Sequence, residues 1–198
     1  MRVKTFFNLI GLCILISLIS GCCFLQGSSI VFPDRALEIA VRSALNKPFF
    51  ILCTGELASL TELTARGMGI VDLRGLEYCT SMTKLDLRDN KIMTISPLRG
   101  LKNLVWLDLG NNNITDITPI AGMPYLEYLD ISGPDNDVRD WSPLIANVNA
   151  GGLGPGDTVT LSPEWTVKDD NSFYEDFEPV YKILVNAGVN VVFAEKTQ

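Results

Sequence analysis

From Leu60 onward the apolar residues return on a fixed interval. Leu63, Leu85, Leu107 and Leu129 stand 22 residues apart, and Ala65, Leu87, Leu109 and Ile131 keep the same interval two positions later. Ile70, Ile92 and Ile114 form a third column that Val138 joins after a two-residue insertion; Leu73, Ile95, Ile117, Trp141 and Leu76, Leu98, Ile120, Leu144 form two more. A pair of apolar residues separated by one position marks a short strand whose alternate side chains face opposite ways. Each block therefore supplies one strand, with the leucines turned inward. A single block cannot bury its own apolar edge, so the strands must stack and the ends must be capped. Asn90 and Asn112 follow their strands in the turn, where an inward amide satisfies backbone groups that would otherwise be buried unpaired. Met68 holds the equivalent place in the first block. Pro97, Pro119 and Pro143 oppose a long helix in the return segment and favour a tight-turn or extended path.

Both ends of this array change pattern. From Pro33 to Asn46, Leu37, Ala40, Val41, Ala44 and Leu45 fall at helical spacing, with Asp34 near the start where a carboxylate suits the helix dipole. Thr54 is placed to cap a second short helix running to Leu60. At the other end Gly152 to Gly156 reads as a glycine-rich turn and Thr158 to Leu161 as another core strand. Glu178 to Ala187 is then a helix with Pro179 in its first turn, and Val189 to Phe193 a last strand closing the edge.

The repeated form, LxxLDLxxNxIxxIxPL, resembles the leucine-rich repeat, and its length and prolines are similar to the internalin-like class. Phe32-Pro33-Asp34 and Leu76-Glu77-Tyr78-Cys79-Thr80 also resemble runs found in such bacterial proteins. The resemblance implies an α/β fold: a short right-handed solenoid with parallel strands on its concave face, a helical N-terminal cap and a helix-strand C-terminal cap. The expected divisions are a signal segment over 1–21, an anchor and tether over 22–31, the N-terminal cap over 32–59, the repeats over 60–149, and the last strand with the C-terminal cap over 150–198.

Ahead of the repeats, Arg2 and Lys4 precede an almost wholly apolar stretch from Phe6 to Ile19, which reads as an export signal. The stretch is short of the roughly 20 apolar residues a spanning helix needs, so a retained anchor helix is the weaker alternative. Leu18-Ile19-Ser20-Gly21-Cys22 resembles the bacterial lipobox, which implies that Cys22 becomes the acylated N-terminus; ordinary secretion with a free thiol is the other reading. Two acyl chains anchor a protein stably, whereas one is marginal. The tether to Pro33 reaches roughly 15 to 20 Å, so the domain sits close to its membrane, either the cell membrane or an outer membrane.

Composition narrows what such a domain does. The chain has 198 residues, 47% hydrophobic and 20% charged, enough for one core. Its net charge of −7 argues against a nucleic-acid backbone or anionic lipid as principal partner. There is no histidine, which removes histidine triads and histidine-ligated metals. The five cysteines lack paired CxxC spacing. Cys79 falls in a core column with Leu101 and Met123, and Cys53 lies in the cap; a Cys53–Cys79 disulfide is one possibility, with Cys23 competing and buried thiols the alternative.

The outward strand positions line the concave face, where repeat proteins usually bind. The candidate contact residues are Glu62, Lys84, Asp86, Arg88, Trp106, Asp108, Tyr128 and Asp130. Trp106 and Tyr128 should be neighbours about 4.8 Å apart, either as binding anchors or as a cross-strand pair that merely stabilises the sheet. Asp86, Asp108 and Asp130 should form an acidic row, read as a solvated face eased by Lys84, Arg88 and water. The oxygen-rich insertion from Asp135 to Asp140 reads as a polar turn, because Arg139 interrupts a calcium-type loop. No nucleophile has a base beside it, so no catalytic residue, metal or cofactor is expected. The functional expectation is a non-catalytic, membrane-anchored envelope lipoprotein that binds a protein or envelope polymer through its concave face. A structural lipoprotein without a specific partner, or an internalin-like adhesion protein, is the alternative.

Overall fold

The computed structural model describes residues 27–49, 51–168 and 172–195. The stretch read as a signal segment, 1–21, and Cys22, expected to carry the lipid, lie outside the described residues. The first strand, β1 (Ser29–Ile30), pairs antiparallel with β2 (Leu52–Cys53), Ser29 opposite Cys53. Between them runs helix α1 (Arg35–Ala44). Asp34 is its N-cap, accepting hydrogen bonds from the Ala36 and Leu37 N–H groups at 2.9 and 3.1 Å. Leu37, Ala40 and Val41 form its buried face, and Glu38 pairs with Arg42 one turn on. The helix is shorter than the apolar spacing suggests because Asp34 fixes its start and Asn46, with φ of 53°, lies beyond its end in the left-handed region. In the short helix α2 (Thr54–Leu57), Cys53 rather than Thr54 is the cap residue, and the Glu56 carboxylate reaches back to the Cys53 N–H at 3.2 Å.

The body is one six-stranded parallel sheet with strands in chain order: β3 (Glu62–Thr64), β4 (Lys84–Asp86), β5 (Trp106–Asp108), β6 (Tyr128–Asp130), β7 (Thr158–Leu161) and β8 (Asn190–Phe193). The register sets Leu63, Leu85, Leu107, Leu129, Val159 and Val191 side by side. All but Val191 are fully buried, and the five repeated apolar columns fill one continuous core with them. Cap helix α1 packs against β3, covering one end of the stack.

The return segments of the first three blocks are short 3-10 turns, Leu76–Tyr78, Ser96–Gly100 and Thr118–Gly122, with Pro97 and Pro119 in the first positions of the latter two. The fourth block differs, since its return segment is a true helix, α3 (Ser142–Asn149). Pro143 is accommodated there because a proline in the first turn removes no helical hydrogen bond. A short helix α4 (Pro163–Thr166) and the helix α5 (Glu178–Asn186) complete the C-terminal cap. Phe177, packed edge-on to Trp141 at 5.2 Å, seals this end.

The core is held in register by a column of asparagines. Asn90 Oδ1 accepts from the Met68 and Ile70 N–H groups at 3.0 Å, while its amide donates to the carbonyls of Ala65, Leu87 and Arg88. Asn112 repeats this with Ile92, Leu87, Leu109 and Gly110. Asn136, in the insertion that reads from the sequence as a polar turn, is the third rung: it is buried, accepts from Ile114 and donates to Leu109, Ile131 and Ser132. The Ser162 hydroxyl exchanges hydrogen bonds with the Gly133 backbone at 2.7 Å, carrying the pattern to β7.

Cys79 is a fully buried free thiol, as its column predicts, and burial, with the nearby Glu77 charge, pushes its pKa up to about 12. Cys53 is disulfide-bonded. The Cys53–Cys79 pairing is therefore not formed, because Cys79 sits inside the hydrophobic core of the first repeat.

Candidate binding face

The outward positions of the strands fall on one face, as strand alternation requires. The register brings Glu62 beside Lys84, Lys84 beside Trp106, and Trp106 beside Tyr128 in one row. In the next row Asp86, Asp108 and Asp130 are adjacent. Arg88 follows its strand and turns back over this second row.

Trp106 and Tyr128 stack, with ring centroids 4.9 Å apart and planes within 6° of parallel. The Lys84 ammonium sits 5.1 Å from the Trp106 ring centre, within cation–π range. Both aromatic residues are half-buried, so the pair forms a shelf with part of its surface in solvent. Burial raises the Tyr128 pKa, and the neighbouring Asp130 and Asp108 charges raise it further. Tyr128 therefore remains a neutral phenol across the physiological range.

The acidic row is not a solvated face. Asp108 is 1% exposed and Asp86 6% exposed, while Glu62, on the edge strand, lies open. Arg88 bridges two of the carboxylates: its Nη2 lies 3.3 Å from Asp86 Oδ2, and its Nε 3.5 Å from Asp108 Oδ2, an ion-pair distance without hydrogen-bond geometry. Burial opposes the guanidinium charge, but Asp108 and Asp86 together hold its proton more tightly than usual. The Asp108 pKa is pushed up to about 6, by burial first and then by the Asp130 and Asp86 charges, against the opposing effects of the Gly110 N–H and Arg88. Asp130 has no ion-pair partner among the described residues; its Oδ1 accepts the Ser132 N–H at 2.8 Å. Gly110 leaves room above these two carboxylates, since a Cβ there would stand 3.3 and 3.4 Å from Asp108 Oδ1 and Asp130 Oδ1.

A buried carboxylate of raised pKa beside a second one has the form of an acid–base pair. Here it lies on the floor of a sheet, whereas a surface hollow of about 610 Å³ lies beside α1, lined by Ile39, Arg42, Ser43, Asn46 and Pro48. Among the described residues no group of three or more carboxylate or cysteine side chains is placed to hold a metal ion.

A leucine-rich repeat model matches residues 80–137, the stretch that supplies β4, β5 and β6. The chain carries leucine-rich repeats. The leucine-rich-repeat fold is also that of internalin C2 from Listeria monocytogenes, a solved structure 23% identical in sequence with a TM-score of 0.60, covering 85% of this chain and 74% of that one. The internalin InlF of the same species is 25% identical with a TM-score of 0.52, covering 85% of this chain but only 59% of its own. No curated protein sequence matches this leucine-rich-repeat chain.

Proposed function

We propose that this protein is a non-catalytic binding module of the bacterial envelope, anchored through acylated Cys22 and engaging a protein or envelope polymer through its concave face. The observation that carries the reading is the stacked, half-exposed Trp106–Tyr128 pair at the middle of the sheet. Aromatic residues held rigid by their neighbours supply large contact area at low entropic cost, and they recur among the residues that dominate interfaces. Support comes from the partly open surroundings: Lys84 on one side, Asp130 on the other, and Glu62 exposed at the edge. Likeness to internalin structures adds the fold, while the partner has to be argued from this surface.

The test is crosslinking in intact cells followed by affinity purification, comparing the native chain with the Trp106→Ala, Tyr128→Ala double variant. The expected result is loss of the crosslinked species from a variant that keeps the native circular dichroism spectrum at the assay temperature, its melt lowered by the lost cross-strand stack. An unchanged set of species from a folded double variant would remove the concave face from the account.

A further inference from the structure

The N-terminal cap carries the two most exposed large hydrophobic residues of the described chain, Phe49 at 91% and Val31 at 85%. They are not scattered. The β1–β2 register sets Ser29 against Cys53 and Ile30 against Leu52, so Val31 and Ile51 flank the end of that pair, and Ile51 is itself half exposed. Phe49 follows Pro48, which lines the hollow beside α1 together with Ile39, another exposed apolar side chain. The other exposed hydrophobics, such as Met93, Tyr125 and Val192, stand at separate places along the repeats and C-terminal cap. Isolated apolar residues on a surface need no explanation, whereas a cluster on one end of a soluble fold does.

We propose that this end of the cap lies in the lipid surface, with Phe49, Val31, Ile51 and Ile39 entering the boundary between headgroups and acyl chains. The inference rests on the lipid-anchoring part of the function proposed above. Two features argue for lipid over another occupant. The chain that precedes Gly27 enters the fold at β1, in the cap itself, so an anchor at Cys22 leaves the bilayer within a few residues of Val31. The cationic side chains of the cap suit the same surface: Arg35, at the start of α1, is exposed and has no ion-pair partner among the described residues. Acyl chains and an apolar patch then act together, the first fixing the distance to the bilayer and the second fixing the orientation.

The experiment uses the mature lipoprotein, produced with its own signal segment and reconstituted into phosphatidylethanolamine–phosphatidylglycerol vesicles. Tryptophan emission is quenched with lipids brominated at the upper part of the acyl chain. Phe49→Trp should be quenched severalfold more than the native tryptophans, and Met93→Trp, at an exposed position of the second repeat, should match the native level. Peptide mass mapping of the same sample reads the acyl group on Cys22. An acylated protein in which Phe49→Trp is quenched no more than Met93→Trp overturns this inference and leaves the anchoring reading intact. An unacylated N-terminus overturns both. Chemical crosslinking that joins two copies through the cap, with no quenching at Phe49→Trp, assigns the patch to self-association and likewise overturns the lipid assignment.

Discussion

Asp34 Oδ2 accepts the backbone N–H of Val71 at 2.8 Å across 37 residues of sequence. The same oxygen takes the Asp72 N–H at 3.2 Å, while Oδ1 caps α1 through Ala36 and Leu37. One carboxylate thus joins the cap helix to the loop between β3 and the return segment of the first repeat. Replacing Asp34 by Ala should cost about 2 to 3 kcal/mol, a lost cap plus backbone donors left without a charged acceptor, measured by denaturant unfolding.

The same group gives a sign for acid behaviour. Burial alone would raise the Asp34 pKa, but four backbone donors outweigh it and the net shift is downward. A carboxylate with a depressed folded pKa stabilises the fold above its ordinary value of 3.8, and this contribution is lost as pH falls through the depressed one. Asp34→Asn should therefore flatten the fall in melting temperature below about pH 4 relative to the native chain.

Asp108 works in the opposite sense. Its folded pKa of about 6 lies above the ordinary 3.8, so proton uptake stabilises the folded state fully below the ordinary value, and the contribution disappears as pH rises through about 6. The groups that face it are Asp86 and Arg88 from the β4 side and Asp130 and Tyr128 from β6. Asp108→Asn should raise stability at pH 8 by about 1 to 2 kcal/mol, discounted for the lost attraction to Arg88, and the gain should vanish near pH 4. Thermal melts of both proteins across that range check the sign.

Removal of a rung from the asparagine column should be severe. Asn112→Ala leaves the buried Ile92 N–H and the Leu87 and Leu109 carbonyls short of partners, at a cost of about 2 to 4 kcal/mol. Asn136→Ala should fall in the same range, whereas removal of an exposed turn residue would cost under about 0.5 kcal/mol. Denaturant midpoints of the two variants distinguish these roles.

Gly133 should tolerate no side chain. Its φ is +117°, and an added Cβ would stand 2.7 Å from the Asn111 backbone. Gly133→Ala should lower the melting temperature, and it should also weaken the Ser162 contact that links β6 to β7.

Thiol chemistry should separate the two described cysteines. With its pKa near 12 and no exposed surface, Cys79 should resist maleimide in the folded protein and react only after denaturation. Mass shifts measured with and without denaturant give the answer directly.

The apolar columns made the stack and its register legible, because each Leu-x-Leu pair specifies both a strand and the face it buries. Asn136 was legible too: the two-residue shift that aligns Val138 with Ile114 also aligns it with Asn112, but the surrounding aspartates made the segment look like a solvated turn. Asp108 was not. Alternation places it outward, yet a central strand flanked on both sides closes over a short side chain, while Glu62 on the edge strand stays exposed. The left-handed position shared by Gly67, Asp89, Asn111 and Gly133 was hidden as well, since only two of the four are glycine. The link from Asp34 to Val71 depends on how the cap docks, which no local pattern encodes.

The antiparallel β1–β2 pair has a mechanical meaning. With the anchor proposed above, tension from the N-terminal side enters the fold at that pair and meets α1 and the Asp34 bridge before it can reach β3. The six parallel strands stand outside the load path, so the surface bearing Trp106 and Tyr128 can keep its shape while the tether is pulled.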